Sequence, residues 1–324
     1  MSNWYMEYNK KTIIKTEYKF VRLNEDNVKD VKNLFIAAKN KKVNLNIFIN
    51  KYNSSYTGKK TLGYIAYDLA KNPVAFYCII PCFALFNGNR ILIAQAVDAL
   101  THPKHQRKGL FNEIVKLVTD LAVKEGIHFV YGVPNDISYK AFIEKLNWEY
   151  LGNMSVIEFK IFTFPIILIT KLTTPLNRLY QFYIERTLFT FFKVSKIPEY
   201  EIFKTESFTV EKSNMYLEYK GYKPKYYLKI GKSVVCISID NFMKVGEIHL
   251  ATDQDIHKII RQIKLLAFVL GINKIVIQNS NSQMLNELFP GRSIKIGLPI
   301  IGLNLTKMYP INSFKLSYTD LDTF

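Results

Sequence analysis

The sequence predicts a mixed α/β (α+β) fold made of two tandem copies of one plan. Three observations carry this prediction. Apolar runs of strand length, rich in Ile, Val, Tyr and Phe, alternate with longer stretches whose apolar residues recur at helical spacing. The order of these elements repeats in the second half of the chain. The 324 residues are 48% hydrophobic, enough to fill two cores.

Tyr18 to Leu23 reads as a strand. Glu25-Asp26-Asn27 then caps a helix carrying Val28, Val31, Leu34 and Phe35 at helical spacing. Two strands follow, Leu62 to Leu69 and Val74 to Phe86, joined by Lys71-Asn72-Pro73. Pro81 lies inside the second, which predicts a kink or an edge position. Arg90 to Ala99 is a third strand. The helix after it presents Leu110, Ile114, Leu117, Val118 and Leu121 on one face. Gly126 ends that helix and Ile127 to Val133 is a strand. Asn135 opens a short helix, and Lys145 to Gly152 leads into another strand.

The second half repeats the order. Tyr226 to Ile230 and Val234 to Ile239 form a hairpin about Gly231-Lys232, and Val245 to Ala251 is the next strand. A helix from about Asp253 to Leu270 ends at Gly271, and Ile275 to Gln278 is a strand. Asn286 to Phe289 closes a short helix, and Ile294 to Leu305 is the last strand. Residues 157–204 are aromatic and apolar, with Pro165, Pro175 and Pro198. They predict a helical connector packed on both domains. Interleaved Lys and Arg make membrane-surface contact the rival reading. The expected domains are 1–156, 157–204 and 205–324.

The chemistry concentrates at Thr101-His102-Pro103-Lys104-His105-Gln106-Arg107-Lys108-Gly109-Leu110-Phe111, between a strand and a helix. A basic turn with a glycine at a helix start is a phosphate cradle, because free N–H groups and the helix dipole face an anion there. The alternative is a solvated loop tip. The corresponding span of the second copy, Thr252 to Gly271, is about six residues shorter. That is the length of the basic turn, so a single cradle is expected.

Gln106-Arg107-Lys108-Gly109-Leu110-Phe111 resembles the Gln/Arg-x-x-Gly-x-Gly/Ala signature of the GNAT superfamily of acyl-CoA-dependent N-acyltransferases, with Phe111 in place of the last small residue. Asn135 with Ser138 is similar to that family's Asn-x-x-Ala/Ser. Lys145-Leu146-Asn147-Trp148 is similar to its closing Lys-Leu-Gly-Phe. The resemblance spans about Gly63 to Gly152. It implies tandem GNAT-like domains, each a mixed, largely antiparallel sheet flanked by helices with a central splay that admits pantetheine. It also implies acetyl-CoA or another short-chain acyl-CoA as co-substrate. The implied coenzyme contacts are Ala99, Leu100, Thr101, Gln106, Arg107, Lys108, Gly109, Leu110, Phe111, Asn135 and Ser138.

Amine acylation needs a held thioester, a proton acceptor and an oxyanion donor. Asp98 is the one carboxylate between Ile91 and His105, so it is the candidate base, with a structural acceptor as the alternative. His102 and His105 flank the cradle as lesser candidates. Where the family carries a tyrosine that protonates the leaving thiolate, this chain has Phe142 or Ile143. Tyr139, one turn earlier, is the candidate substitute, with an aromatic edge cover as the alternative.

Within the family the chain is most similar to two-domain amino-sugar N-acyltransferases of bacterial surface-polysaccharide (O-antigen) synthesis, at Gly63 to Asp68, Asp98 to Pro103, Phe129 to Asn135 and Tyr219 to Tyr227. This implies a dTDP-linked 3-amino-3,6-dideoxyhexose as acceptor and an acetyl or 3-hydroxybutyryl donor. Phe48, Tyr52 and Tyr56 are candidates to stack on its base, and Lys51, Lys59 or Lys60 to meet its diphosphate. Small-amine acetyltransferase and non-catalytic acyl-CoA binder are the alternatives.

Lys and Arg number 44 against 27 Asp and Glu, a net charge of +17. The charges are scattered and form no nucleic-acid motif, which argues against that partner class. The odd three cysteines, Cys78, Cys82 and Cys236, lie in apolar runs. They predict a reduced, cytoplasmic protein with no metal site. No leader pattern opens the chain, and its longest apolar run, Ile161 to Thr170, is too short to span a bilayer.

Overall fold

The computed structural model describes residues 12–15, 17–39, 44–195, 208–252 and 255–324. The chain divides into two compact units that interleave in sequence. Unit 1 comprises 1–151, 204–211 and 299–314, and unit 2 comprises 152–203, 212–298 and 315–324.

The first half runs β1 (Thr12–Lys15), β2 (Tyr18–Arg22), α1 (Val28–Lys39), α2 (Leu45–Tyr52), β3 (Leu62–Tyr67), β4 (Pro73–Phe86), β5 (Asn89–Thr101), α3 (Leu110–Lys124), β6 (Phe129–Gly132), α4 (Asp136–Leu146) and β7 (Glu149–Lys160). Next come α5 (Ile166–Thr170), α6 (Thr174–Phe191), β8 (Lys193–Ser195) and β9 (Thr209–Val210). The second half continues with α7 (Asn214–Tyr219), β10 (Tyr226–Ile230), β11 (Ser233–Ile239), β12 (Met243–His249), α8 (Asp255–Val269), β13 (Lys274–Asn279), α9 (Ser282–Leu288) and β14 (Lys295–Asn304).

In unit 1, β1 to β5 form an antiparallel meander, β6 lies parallel to β5, and β14 closes the row antiparallel to β6. Helix α3 buries Leu110, Ile114, Val115, Val118, Leu121 and Ala122, so the heptad-like spacing read from the sequence is its core face. Pro81 sits in an unbroken β4. The β3 ladder ends at Ile79 and that of β9 begins at Ala84, leaving Pro81 paired with β5 alone. The expected edge position is therefore local.

In unit 2, β8, β10, β11 and β12 are antiparallel, β13 lies parallel to β12, and β7 pairs antiparallel with β13 from Ser155 to Lys160. Its core gathers Ile157, Ile184, Val235, Ile259, Ile263 and Ile275. The expected connector contributes α5 and α6 to this unit, with α6 burying Tyr180, Ile184, Thr187 and Leu188. Residues 196–204 of that connector, with Pro198, and the helix start at Asp253 lie outside the described residues.

The last strand of each half is therefore exchanged. Strand β7, from the first half, flanks β13 of the second, while Ile301 to Asn304 of β14 flank β6 of the first. Nothing in the linear element order signals this exchange. The three cysteines are buried, and no described helix is long and apolar enough to cross a membrane.

Candidate active site

The parallel ladder between β5 and β6 holds only Ala94↔Val130 and Gln95↔Tyr131, although β5 continues to Thr101. Where that ladder stops, Gly132 lets β6 lie against Ala96 and the ring of Trp148. A Cβ there would come 3.2 Å from Ala96 Cβ. Beyond this point β5 carries a bulge. Phe76 pairs with Leu100 and Cys78 with Val97, so Tyr77 opposes both Asp98 and Ala99. Asp98 takes φ +46°, which turns the strand. Ala99 and Leu100 thus leave the bulge beside the open end of the parallel ladder, and Thr101 pairs with Ala75.

Past Thr101 the chain makes a short 3-10 turn, Pro103–His105, and enters α3. Arg107 (φ +63°) and Gly109 (φ +78°) are both left-handed and flank Lys108. Such alternation makes successive N–H groups converge into an anion-binding concavity. Gly109 is the N-cap and gives no side-chain cap, so the first-turn N–H groups of α3 are left for a ligand. Gln106, Arg107, Lys108 and Gly109 are exposed, and no described carboxylate pairs with Arg107 or Lys108. A Cβ on Gly109 would meet nothing within 4 Å, so the space in front of the turn is open. His105 is half-buried, with its Nδ1 3.2 Å from the Tyr18 hydroxyl, and His102 Nδ1 accepts from the Lys104 amide.

Asp98 is held through its Oδ2. It forms an ion pair with Lys51 Nζ and accepts a 2.8 Å bond from the Tyr52 hydroxyl, both from α2. The two charged side chains are 7% and 15% exposed, so this pair is nearly dry. The candidate base is thus also the acceptor that fastens α2 to the bulge. The same arrangement corrects the expected base-stacking set. Phe48 and Tyr52 are buried and stack on each other at 5.6 Å, and Lys51 is committed to Asp98. Tyr56 bonds the Pro81 carbonyl, and Lys59 pairs with Glu125. Lys60 is exposed.

Across the ladder gap, Asn135 caps α4 by accepting from the Ser138 amide at 3.0 Å. Its carboxamide NH2 remains available as a donor. Tyr139 is half-buried, edge-on to Tyr150 at 6.4 Å. Phe111, which departs from the family pattern, meets Phe142, one of the two positions where the family carries its tyrosine, edge-to-face at 5.3 Å. Around Phe142 also pack Trp148 at 4.6 Å and Tyr77 at 6.0 Å.

Sequence reasoning missed Tyr77, and read Trp148 only as the end of the closing motif. The Tyr77 hydroxyl and Trp148 Nε1 are buried and have no hydrogen-bond partner among the described residues. Burial drives the Tyr77 phenol well above its ordinary range, and Cys78 adds to the effect. Orphaned donors inside a core are costly, and few survive without a ligand or a function. No linear pattern could have found them, because their isolation is set by packing of α3, α4 and β4. Among the described residues no His/Cys/Asp/Glu group could hold a metal ion.

The parallel pair that parts at a bulge and the basic glycine nest at a helix start both lie within a stretch that matches a known family. Residues 19–151, less than half of the chain, match the family described as acetyltransferase (GNAT) domain. Three solved structures resemble the whole chain in fold. A GCN5-related N-acetyltransferase from Kribbella flavida has TM-score 0.58 and 10% identity, covering 90% of this chain and 71% of that one. A candidate acetyltransferase from Pyrococcus horikoshii has TM-score 0.56 and 14% identity, covering 96% and 97%. The N-myristoyltransferase of Saccharomyces cerevisiae, with bound myristoyl-CoA, has TM-score 0.57 and 12% identity, covering 91% and 85%. Comparison with curated proteins gives no sequence match.

Proposed function

We propose that the protein is an acyl-CoA-dependent N-acyltransferase whose acceptor is the amine of a nucleotide-linked amino sugar. The observation that supports the first part best is the pairing of the β5 bulge with the Arg107–Gly109 nest. One element would hold a thioester and the other its pyrophosphate. The donor set fits the coenzyme: backbone N–H groups and cations for phosphate, the Asn135 amide for pantetheine, and orphaned Tyr77 and Trp148 donors in the wall behind. The amino-sugar acceptor is supported by the resemblance at Asp98 to Pro103 and Phe129 to Asn135, and not by an aromatic cradle. Domains at 1–156, 157–204 and 205–324 remain the proposed division of ancestry, with the strand exchange laid over it.

In the proposed reaction the acceptor nitrogen attacks the thioester carbonyl, the C–S bond breaks, and the coenzyme thiolate leaves. Backbone at Ala99 faces the developing oxyanion. Asp98, directly or through water, takes the ammonium proton, with Lys51 holding its carboxylate in place. Tyr139, half-buried at the start of α4, is the proposed group that returns a proton to the thiolate.

Coenzyme A release, measured with acetyl- and 3-hydroxybutyryl-CoA against dTDP-, UDP- and GDP-linked amino sugars, tests the reading. Turnover on one nucleotide amino sugar is expected, with little loss at 200 mM salt because one diphosphate involves few charges. Release on simple polyamines or aminoglycosides alone would reassign the acceptor. A melting temperature unmoved by millimolar coenzyme would overturn the site itself.

A further inference from the structure

Unit 2 carries an exposed apolar face on its two linker helices. Helix α6 is apolar on two sides, and only one is buried. Tyr180, Ile184, Thr187 and Leu188 face the core. Leu176, Leu179, Phe182, Tyr183 and Phe189 face out, with Leu179 66% and Phe182 62% exposed. At about 100° per residue these five span roughly 140° of the helix, and the polar seam of Asn177, Gln181 and Glu185 is confined to the opposite flank. The face extends to Phe162 and Phe164 before α5 and to Leu265 and Phe268 at the end of α8, all exposed.

This face is held in place. The Tyr180 hydroxyl donates to the Leu270 carbonyl at 2.7 Å, Tyr183 to Val269 at 3.0 Å and Thr163 to Phe268 at 3.1 Å. Ile166 of α5 packs on Gly271, where any Cβ would overlap it. The apolar side chains are therefore displayed by a braced scaffold.

Charge decides what fits. From Lys160 to Lys193 the cations are Lys160, Lys171, Arg178, Arg186 and Lys193, against Glu185. Lys171 is paired with Asp240, but Arg178 and Arg186 are exposed and no described carboxylate meets them. Arg186 lies within the outward apolar sector itself. A protein partner would have to bury that guanidinium, and a second copy would set like charges against each other across a two-fold contact. A bilayer surface takes both kinds of group. Apolar side chains enter the acyl boundary while the arginines reach up to lipid phosphates.

We propose that the α5–α6 face docks the protein on an anionic lipid bilayer, lying in the interface without crossing it. Flotation of the full-length chain with phosphatidylcholine–phosphatidylglycerol vesicles, and with phosphatidylcholine alone, tests this. The wild type is expected to float with the anionic vesicles and to remain behind with the neutral ones. Leu179→Glu with Phe182→Glu is expected to abolish flotation. Arg178→Gln with Arg186→Gln, both on the surface, is expected to weaken it about thirtyfold, roughly fivefold per charge. Melting temperatures and circular dichroism should stay at wild-type values. The proposal is overturned if the wild type floats with neither vesicle, or with both equally, or if the arginine variant floats as the wild type does. A dimer in sedimentation equilibrium that Leu179→Glu with Phe182→Glu breaks, with no flotation, would assign the face to self-association instead.

Discussion

Gly109 is a residue whose role can be separated from its neighbours'. Its φ of +78° excludes most L side chains, yet the space where a Cβ would stand is open. Gly109→Ala should therefore cost about 1 kcal/mol of strain and little more. Gly109→Asp adds an anion where pyrophosphate is proposed to sit, and should abolish the coenzyme-induced rise in melting temperature while circular dichroism stays native. Tyr77 makes a sharper test. Removing an orphaned buried hydroxyl relieves an unmet donor, so Tyr77→Phe should stabilise by about 1–3 kcal/mol. Turnover should stay at the wild-type level, because a phenol held so far up cannot protonate a thiolate. Tyr139→Phe is instead the variant expected to lose turnover while keeping coenzyme affinity, and wild-type turnover there would leave Tyr139 as an aromatic cover of the strand edge. Asp98 and Lys51 must be tested together. Breaking a buried pair costs about 3–5 kcal/mol because it strands one charge, so Asp98→Asn alone confounds stability with chemistry. Lys51→Met with Asp98→Asn should recover most of the stability, and a stable but inactive double variant would support the base.

At the level of elements, segment 315–324 is clasped into unit 2 by one buried lysine, Lys220, and two half-buried ones, Lys212 and Lys223. Lys220 donates to the Leu321 carbonyl and Lys223 to that of Asp322, while Lys212 pairs with Glu247 at 3.0 Å and also with Asp320. Burial raises the Glu247 carboxyl, but Lys212 and His249 outweigh it and hold the group well below its usual range. A carboxylate depressed in the fold contributes stability above its unfolded value of about 4.3 and loses it as pH falls through the folded value. Glu247→Gln should lower stability at neutral pH and flatten the decline on acidification below about pH 4, read by denaturant unfolding across pH. Gly246 lies under the same segment, where a Cβ would overlap Thr319 and the Phe324 ring. Gly246→Ala should cost about 1–3 kcal/mol or displace the tail, visible as a lower denaturation midpoint.

Element existence was legible wherever periodicity was strong. Helix α3, the β4–β5 hairpin and the cradle turn all follow from apolar spacing and one glycine, because those features depend on neighbours in sequence. The Asp98 bulge was legible only as the end of a strand. Its partners on α2 were not, since Lys51 and Tyr52 read as candidates for a diphosphate and a base until tertiary packing buries them beside Asp98. That Phe111 packs on Phe142 was not legible either, since their 5.3 Å contact joins residues of two different helices.

For the whole molecule, the exchange of β7 and β14 sets what can be cut. Strand β14 supplies Ile301 beneath Gly132, and the segment after it supplies Phe314, which packs on Phe129 and Tyr131. A chain truncated at residue 204 lacks these and leaves the far side of β6 unpaired. It should be insoluble or melt without a cooperative transition, rather than survive as a coenzyme-binding domain, and differential scanning calorimetry with amide hydrogen exchange on β6 would show which. Cooperative melting of 1–204 alone would mean that β14 is dispensable to unit 1.

The same exchange bears on how the chain is made. A protein of two sequential domains can finish the first while the second is still being synthesised. Here the strand beside β6 ends at Asn304, about 170 residues after β6 ends at Gly132. At about 5–20 residues per second, the sheet edge at β6 waits roughly 10–35 s for its partner. Through that interval an open, apolar strand edge is presented to every other nascent chain in reach, so the yield of soluble protein should depend on elongation rate and on chaperones that hold unfinished sheets.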